Sequence, residues 1–549
     1  MVAFYHGLTG FACAWLYRRT MRTSTRDTIM QGVLPVLGGA ILLGVVLRYA
    51  WQLRRPECFR GDTLPNRVSS ELVPLVGAVA PGLRLPDPVE NTVVAPDLSN
   101  LQPGATAVDL RTGGEVNLEP GQRYVDESAA ERRPGSARTT TGSVRSMAEV
   151  SGVSATSPCV GPASVVFDPS LTEYDFGSSH PMAPVRVDLT MRLAEALGVL
   201  DGLTTVAAPM ADDDLVATVH DRELIDAVRR AGEDPLGFVP AYGLGTDDNP
   251  VFHDMHRAAA HVVGATVEAF RQVRTGESLH SVSICGGLHH AMPDRASGFC
   301  IYNDVAVGIR SLLDAGVGRV AYVDVDVHHG DGVERVFYDD PRVLTISLHE
   351  TGQALFPGTG FPADSGGPGA EGSAVNVALP PGTSDAGWLR AFHAVVPPLV
   401  REFAPDVLVT QHGCDSHRDD PLADLMLSVD GQRASYLALH ELAHEVAGGR
   451  WVATGGGGYA LVDVVPRAWT HLLATVAGRP LDPATETPQA WRAHVRDRLG
   501  RTAPAVMTDG REPAYRDWSE GYDPGTWLDR SVQATREEVF WRHGLDPLP

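Results

Sequence analysis

From Ser164 to the carboxyl terminus, short apolar runs alternate with segments of helical character. The runs are SVVFD, SVSICGG, RVAYVDVDV, VLTISL, DVLVTQHG and RWVATGGGG, and DAGWLRAFHAVVPPLVREFAP is typical of the helical segments. This alternation predicts an α/β fold with a central, mostly parallel sheet, because parallel neighbours need a crossover connection that is usually a helix. Ligands of such sheets bind at the carboxyl ends of the strands.

One run continues into VDVDVHHGDG, residues 323–332. Side chains two positions apart lie on the same face of a strand, so Asp324, Asp326 and His328 share one side. Burial of an unpaired carboxylate is costly, and burial of two close together costs more. A cation beside them is therefore expected.

Other apolar runs lead into similar chemistry. His289 and His290 follow SVSICGG, Asp415 follows DVLVTQHG, and Tyr459 follows RWVATGGGG. Each motif alone has an ordinary explanation, since paired histidines occur on surfaces and in cores and a run of glycines is usually a loop. Four such motifs at strand ends favour a single functional site.

The oxygen and nitrogen atoms of this set suit a divalent metal. Asp326, His328 and Asp415 would bind it and leave one position open for water, which is the mark of a catalytic zinc site. Such a metal lowers the pKa of its bound water toward about 7 and polarises a carbonyl. Asp324 would then orient a histidine.

Composition narrows the function and the compartment. The formal net charge of −23 argues against a general nucleic-acid-binding protein, which needs basic surface. None of the six cysteines forms a CxxC pair, so we expect His and carboxylate metal ligands and a cytoplasmic catalytic domain.

The amino-terminal region differs from the rest. Residues 29–47, IMQGVLPVLGGAILLGVVL, contain one polar side chain, Gln31, and are long enough to cross roughly 30 Å of hydrocarbon. Tyr49 and Trp51 fit the membrane interface. We predict a membrane helix here, within a membrane segment of residues 1–60, and a buried or signal-like segment is the alternative. GLTGFACAWLYRR and GVLPVLGGAILLGVVL also resemble the last helices of amino-acid permeases.

Residues 61–163 lack sustained periodicity and are rich in small and polar residues. We predict a flexible linker of low order that contains a few strands. Residues 164–549 are predicted to form the catalytic domain.

Several stretches of this domain match a known family. GGLHHAMPDRASGFCIYND, YVDVDVHHGDGVERVFY, LFPGTG, GCDSHRDDPL and GGGGY resemble the zinc-dependent histone deacetylase superfamily, whose members share an arginase-like, three-layer α/β fold. YDFGSSHPMAPVR, YGLGTDDNPVF and ATREEVFWRHGLDP are most similar to the bacterial acetoin-utilization type.

The resemblance implies a zinc ion held by the three ligands named above, and it implies further catalytic roles. Asp324 would orient His289, and Asp331 would orient His290. In this family's mechanism His290 would be the general base. Tyr459 would donate a hydrogen bond to the substrate carbonyl and to the oxyanion formed from it.

The resemblance also implies a substrate tunnel. Gly298, Phe299 and Phe356 would form a narrow apolar slot for the methylenes of an acyl-lysine. Leu422 would lie at its rim, and Asp248 would accept backbone N–H groups of a peptide. A potassium ion would be bound by Asp324, Asp326, His328, Ser347 and Leu348.

We therefore predict a hydrolase that removes acetyl groups from lysine side chains of proteins such as acetyl-CoA synthetase, with membrane association through residues 29–47. One alternative is a deacetylase of acetylpolyamines or other small amides, although Leu422 is not the acidic residue that a cationic substrate favours. Another is a membrane-anchored protein that binds acyl-lysine without turnover, although the complete set from His289 to Tyr459 argues against it.

Overall fold

The computed structural model describes residues 161–236, 238 and 240–549, together with the short segments 106–108, 115–117 and 145–146. The predicted membrane segment and most of the predicted linker lie outside the described residues. Within the described part of the chain, no helix combines the length and the apolar character that a membrane span requires.

The chain divides into two compact units, residues 1–139 and 140–549. In the first unit, β1 (Thr106–Val108) pairs antiparallel with β2 (Glu115–Asn117). All other elements below belong to the second unit.

The second unit is built around a parallel sheet. Its strands, with β3 and β12 outside the main sheet, are β3 (Arg145–Ser146), β4 (Ala163–Val166), β5 (Thr204–Val206), β6 (His280–Ser283), β7 (Val320–Asp324), β8 (Val343–Glu350), β9 (Ala374–Leu379), β10 (Val407–Gln411), β11 (Trp451–Thr454) and β12 (Ala514–Tyr515). Among the described residues the main sheet has eight strands in the order β5-β4-β6-β11-β10-β7-β8-β9, and every neighbouring pair is parallel. The predicted α/β class with a mostly parallel sheet is confirmed.

Helices flank this sheet. They are α1 (Val185–Ala196), α2 (Asp213–Val216), α3 (Arg222–Glu233), α4 (Met255–Thr275), α5 (Asp304–Asp314), α6 (Asp331–Phe337), α7 (Asp385–Phe403), α8 (Val429–Ala447), α9 (Val465–Val476), α10 (Gln489–Leu499) and α11 (Trp527–Val539). Local chemistry sets their ends: the Ser428 side chain caps the start of α8 by accepting from the N–H of Gly431, and Gly448 ends it in the left-handed conformation.

The apolar runs of the sequence correspond to strands that are buried throughout. Each residue of β6, β7, β8, β10 and β11 is buried, as expected when helices cover a parallel sheet. The edge strands β5 and β9 were not among the predicted runs. β5 is short and largely exposed, and Asn376 interrupts the apolar sequence of β9.

The central strands end level with one another. Ser283 of β6 pairs with Thr454 of β11, Thr454 with Gln411 of β10, and Gln411 with Asp324 of β7. Because these last residues are in register, the loops that follow the four strands leave the sheet side by side.

Candidate active site

The loops after the four central strands carry the predicted catalytic residues. His289 and His290 follow β6, His328 follows β7, Asp415 follows β10, and Tyr459 follows β11. The structure brings them together around a cavity of about 20 Å³, room for a water molecule. Its lining is Met182, Gly287, Leu288, His289, His290, Gly298, Cys300, Asp326, His328, Gly456, Gly457 and Tyr459.

Three potential ligand atoms converge beside this cavity. Nδ1 of His328 lies 3.1 Å from Oδ1 of Asp326 and 3.1 Å from Oδ2 of Asp415. The remaining Asp326 oxygen accepts hydrogen bonds of 2.8 Å from the Gln411 amide and from the Gly457 N–H. The remaining Asp415 oxygen accepts from the N–H of the residue before His328. Asp415 is thus fixed through one oxygen and presents the other, whereas Asp326 is fixed through both, since its Oδ1 also accepts from the His328 N–H at 3.0 Å.

The electrostatics of this trio favour a cation. Asp326 and Asp415 are both fully buried, and burial together with repulsion from Asp326 raises the pKa of Asp415 to about 6. Burial lowers the pKa of His328, but the two carboxylates outweigh it and raise that pKa to about 10. Two anionic oxygens and an imidazole nitrogen, all within 4.8 Å of one another, fit the ligand set of a divalent metal.

Two glycines allow the carboxylates to come this close to the chain. A Cβ at Gly413 would lie 1.9 Å from Oδ2 of Asp326, and a Cβ at Gly457 would lie 2.0 Å from Oδ2 of Asp415. Any larger residue at either position would displace a ligand.

The paired histidines are each oriented by a carboxylate. Nδ1 of His289 lies 2.7 Å from Asp324, and Nδ1 of His290 lies 2.7 Å from Asp331. Their Nε2 atoms face each other at 3.1 Å. The Tyr322 hydroxyl also donates to Asp324, at 2.6 Å, so this carboxylate is itself held in place.

The two imidazoles differ in charge. Burial, followed by the neighbouring His289, lowers the pKa of His290 to about 4, against the effect of Asp331. Burial also lowers the pKa of His289, but Asp324 and Asp326 outweigh it and raise that pKa to about 9. At neutral pH the pair therefore combines a neutral imidazole, which can accept a proton, with a protonated one, which can give a proton.

Tyr459, in the glycine loop after β11, lines the same cavity as this pair. Burial, with the Asp415 and Asp326 carboxylates, keeps the pKa of its phenol well above the usual value, so the hydroxyl remains a donor. Its N–H donates to Asp420 at 2.8 Å. The buried Arg186 donates to the Gly456 carbonyl, at 2.8 Å, and thereby fixes the loop.

The predicted tunnel residues surround the approach to the cavity. The Phe356 ring lies 5.1 Å from that of His290, and the Phe299 ring lies 5.7 Å from that of Tyr459. A Cβ at Gly298 would come within 2.6 Å of His290 and 2.9 Å of Phe356. Only a glycine fits between these two rings.

The two predicted rim residues are connected to this wall. Asp248 is exposed, and its carbonyl accepts a hydrogen bond of 3.2 Å from His180, whose ring packs 4.5 Å from Phe299. Leu422 is half-buried, and its N–H donates at 3.1 Å to Asp420, the carboxylate that also holds Tyr459. Asp420 therefore holds both Leu422 at the rim and Tyr459 in the glycine loop.

Of the predicted potassium ligands, Asp324 ends β7, Asp326 and His328 lie in the loop that follows it, and Ser347 and Leu348 lie on the adjacent strand β8. Asp324 pairs with Ser347 in the register of β7 and β8, and Leu348 follows Ser347. Potassium binding itself stays a prediction.

Three supporting residues were missed by the sequence reasoning. Gln411 holds Asp326, Arg186 holds the glycine loop, and Asp420 holds Tyr459. Gln411 carried a usable signal, because it is a polar residue that ends a buried strand, as Asp324 is. Arg186 lies in a quoted family motif, but nothing in the sequence indicates its partner.

A parallel α/β sheet with a metal-ligand trio, a histidine pair and a tyrosine at its carboxyl edge defines a class of amide hydrolases. Residues 180–476 match the profile of the histone deacetylase domain. The chain belongs to the histone deacetylase family, as the sequence motifs predicted.

Named relatives refine this assignment. The acetoin utilization protein AcuC of Bacillus subtilis (strain 168) is 41% identical over 331 residues, which are 59% of this chain and 84% of that protein. AcuC of Staphylococcus xylosus is 35% identical over 350 residues, 63% of this chain and 90% of that protein. AcuC of Staphylococcus aureus (strain MSSA476) is 36% identical over 318 residues, 58% of this chain and 82% of that protein. The chain is thus a deacetylase of the AcuC-like type, and the permease resemblance stays a prediction.

Proposed function

We propose that the protein is a zinc-dependent hydrolase that removes acetyl groups from lysine side chains of proteins. One observation carries the proposal: a trio of cation ligands, the His289–His290 pair and the Tyr459 phenol meet at one cavity behind a narrow apolar slot. Asp326, His328 and Asp415 would hold the zinc ion, which would polarise the substrate carbonyl and lower the pKa of water.

The chain's own groups supply the proton transfers. Neutral His290, held at Nδ1 by Asp331, accepts a proton from the attacking water at Nε2. The Tyr459 hydroxyl donates to the oxyanion that develops on the substrate carbonyl. The protonated histidine pair then gives a proton to the departing lysine amine, which makes the amine a better leaving group.

The shape and chemistry of the approach support acyl-lysine on a peptide as the substrate. The Phe299 and Phe356 rings would form the walls of an apolar slot for an extended aliphatic chain, and Leu422 contributes an apolar side chain at the rim. The exposed Asp248 carboxylate is available to backbone N–H groups of a peptide. The substrate partner would be an acetylated cytoplasmic protein.

The test uses the full chain, stripped of metal with a chelator and assayed with an acetyl-lysine peptide and with acetylspermidine. We expect one zinc equivalent at the catalytic site to restore peptide turnover, and peptide to be hydrolysed with the higher kcat/KM. A higher kcat/KM for acetylspermidine would overturn the substrate assignment. Zinc-independent turnover would overturn the metal assignment.

The role of the phenol has a matched control. Tyr459→Phe should keep its zinc and lose about 10²–10³ in kcat, the usual value of one oxyanion donor. Tyr522→Phe removes a hydroxyl from a tyrosine on the exposed surface and should keep wild-type turnover. Near-normal turnover in Tyr459→Phe would refute the assigned role.

A further inference from the structure

A second histidine cluster lies at the amino ends of the strands, whereas the cavity lies at their carboxyl ends. His280 opens β6, so it lies at the amino end of the strand whose carboxyl end leads to His289. His440 and His444 are four residues apart in α8 and therefore lie on the same face of that helix. We propose that His280, His440 and His444 form a second, non-catalytic binding site for a first-row divalent transition metal, zinc above all.

The nitrogen positions match a coordination sphere. Nε2 of His280 lies 3.1 Å from Nε2 of His444, which lies 3.3 Å from Nε2 of His440. Ligand nitrogens of the three residues all lie within 4.8 Å of one another. Zinc–nitrogen bonds of about 2.0–2.1 Å at tetrahedral angles place the nitrogens roughly 3.3 Å apart. The two observed separations, 3.1 and 3.3 Å, are close to this value.

Hydrogen bonds between the three neutral imidazoles cannot account for both of these nitrogen–nitrogen contacts. Nδ1 of His280 lies 2.9 Å from the Val476 carbonyl and must donate to it, which leaves Nε2 of His280 as a lone pair when the ring is neutral. His444 faces two nitrogens but carries at most one proton on Nε2, so one of its two contacts lacks a linear hydrogen bond. A cation at the centre would engage all three lone pairs.

The charge state of the cluster also suits a metal. Burial lowers the pKa of His280 to about 4 and that of His440 to about 3, and it lowers the pKa of His444 as well. All three imidazoles are thus neutral at neutral pH, the form that binds metals. Neutral imidazole ligands favour zinc, copper, nickel and cobalt over magnesium or calcium.

The surroundings support a structural role. The Trp451 ring packs 5.7 Å from His280 and 5.6 Å from His440, so one side of the cluster is rigid and apolar. His440 and His444 are half-exposed, which allows metal entry and leaves a fourth position to water. A bound ion would join β6 to α8, and through the His280–Val476 hydrogen bond to the end of α9.

The test compares metal content between full-length proteins. Wild type, His440→Ala/His444→Ala and the control His253→Ala/His494→Ala are stripped of metal and dialysed against zinc buffered in the micromolar range. Bound zinc is then counted by elemental analysis. We expect the cluster variant to hold one zinc equivalent fewer than wild type, and the control to match wild type. Because the test compares zinc content between proteins that share the same catalytic site, the expected difference does not depend on the zinc occupancy of that site.

A second measurement separates metal binding from packing. Zinc should raise the Tm of wild type more than that of the cluster variant, while deacetylation rates of the two stay within twofold, because the cluster lies away from the catalytic loops. If the double variant does not fold, His444→Ala replaces it, since His444 is half-exposed. Equal zinc content in wild type and a folded variant overturns the proposal.

Discussion

Gln411 offers a stringent test of how the candidate site is held together. The side-chain NH₂ of Gln411 donates to Asp326 at 2.8 Å, and its side-chain oxygen accepts from the Gly413 N–H at 2.7 Å. Replacement by leucine keeps the size of the side chain but removes one of the two hydrogen bonds to the non-ligating oxygen of Asp326. The other bond, from Gly457, remains.

The expected loss follows from the charge on that acceptor. A hydrogen bond to a charged group contributes about 1.5–3 kcal/mol, and each 1.4 kcal/mol is about a tenfold change in affinity. Gln411→Leu should therefore weaken zinc binding at this site about 10–100-fold, the usual range for residues that orient metal ligands. The unpaired Gly413 N–H should also lower the free energy of unfolding by about 1–3 kcal/mol.

The assay is the concentration of free zinc that gives half-maximal deacetylation in zinc-buffered solution, because activity reports only the catalytic site. Gln272→Leu is the control, since this glutamine is also buried but bonds to Glu268 on α4. Circular dichroism checks that each variant is folded. An unchanged half-maximal zinc concentration in folded Gln411→Leu would show that the reasoning about Asp326 is wrong.

Further predictions concern the base, the slot and the response to acid. Asp331→Asn should lower kcat by at least about tenfold, because His290 loses the carboxylate that fixes its tautomer; rates equal to wild type would contradict this. Gly298→Ala should lower kcat/KM for the acetyl-lysine peptide, since its Cβ would lie 2.6 Å from His290 and 2.9 Å from Phe356, and an unchanged kcat/KM would count against this close packing. His220 is buried and accepts the Asn303 N–H at 2.8 Å, and burial lowers its pKa from 6.5 to about 4. The unfolded chain binds the extra proton between these values, so lowering the pH from 6.5 to 5 should cost about 1.5 kcal/mol of unfolding free energy through this residue. His220→Gln should flatten that dependence in urea titrations at the two pH values, and an equally steep dependence would refute the assignment.

The fold class was predictable because its signal is local. Strands β7, β10 and β11 are buried on both faces, so each appears in the sequence as a mainly apolar run that ends in a polar residue. β6 (His280–Ser283) is equally buried but has only one apolar residue, Val282. The order of the strands was not predictable, because no local pattern indicates that β11 lies between β6 and β10.

The candidate site likewise contains residues that the sequence predicts and residues that it does not. Asp326 and His328 were predictable from the cost of burying charge beside an apolar strand, although β7 ends at Asp324 and both residues lie in the loop after it rather than on the strand. Arg186 was not, because its partners are the carbonyls of Gly456 and Gly458, 270 and 272 positions away in the chain. Long-range contacts to backbone atoms leave no pattern in side-chain identity.

The level ends of the central strands also limit how this part of the chain can change in length. One residue deleted from β10 would draw Asp415 back by about 3.3 Å and turn the strand's side chains to the opposite face. Gln411 would then leave Asp326, and the carboxylate of Asp415 would no longer reach His328. Insertions and deletions should therefore be tolerated in the outer loops, while the lengths of β7, β10 and β11 stay constant in any functional variant of this chain.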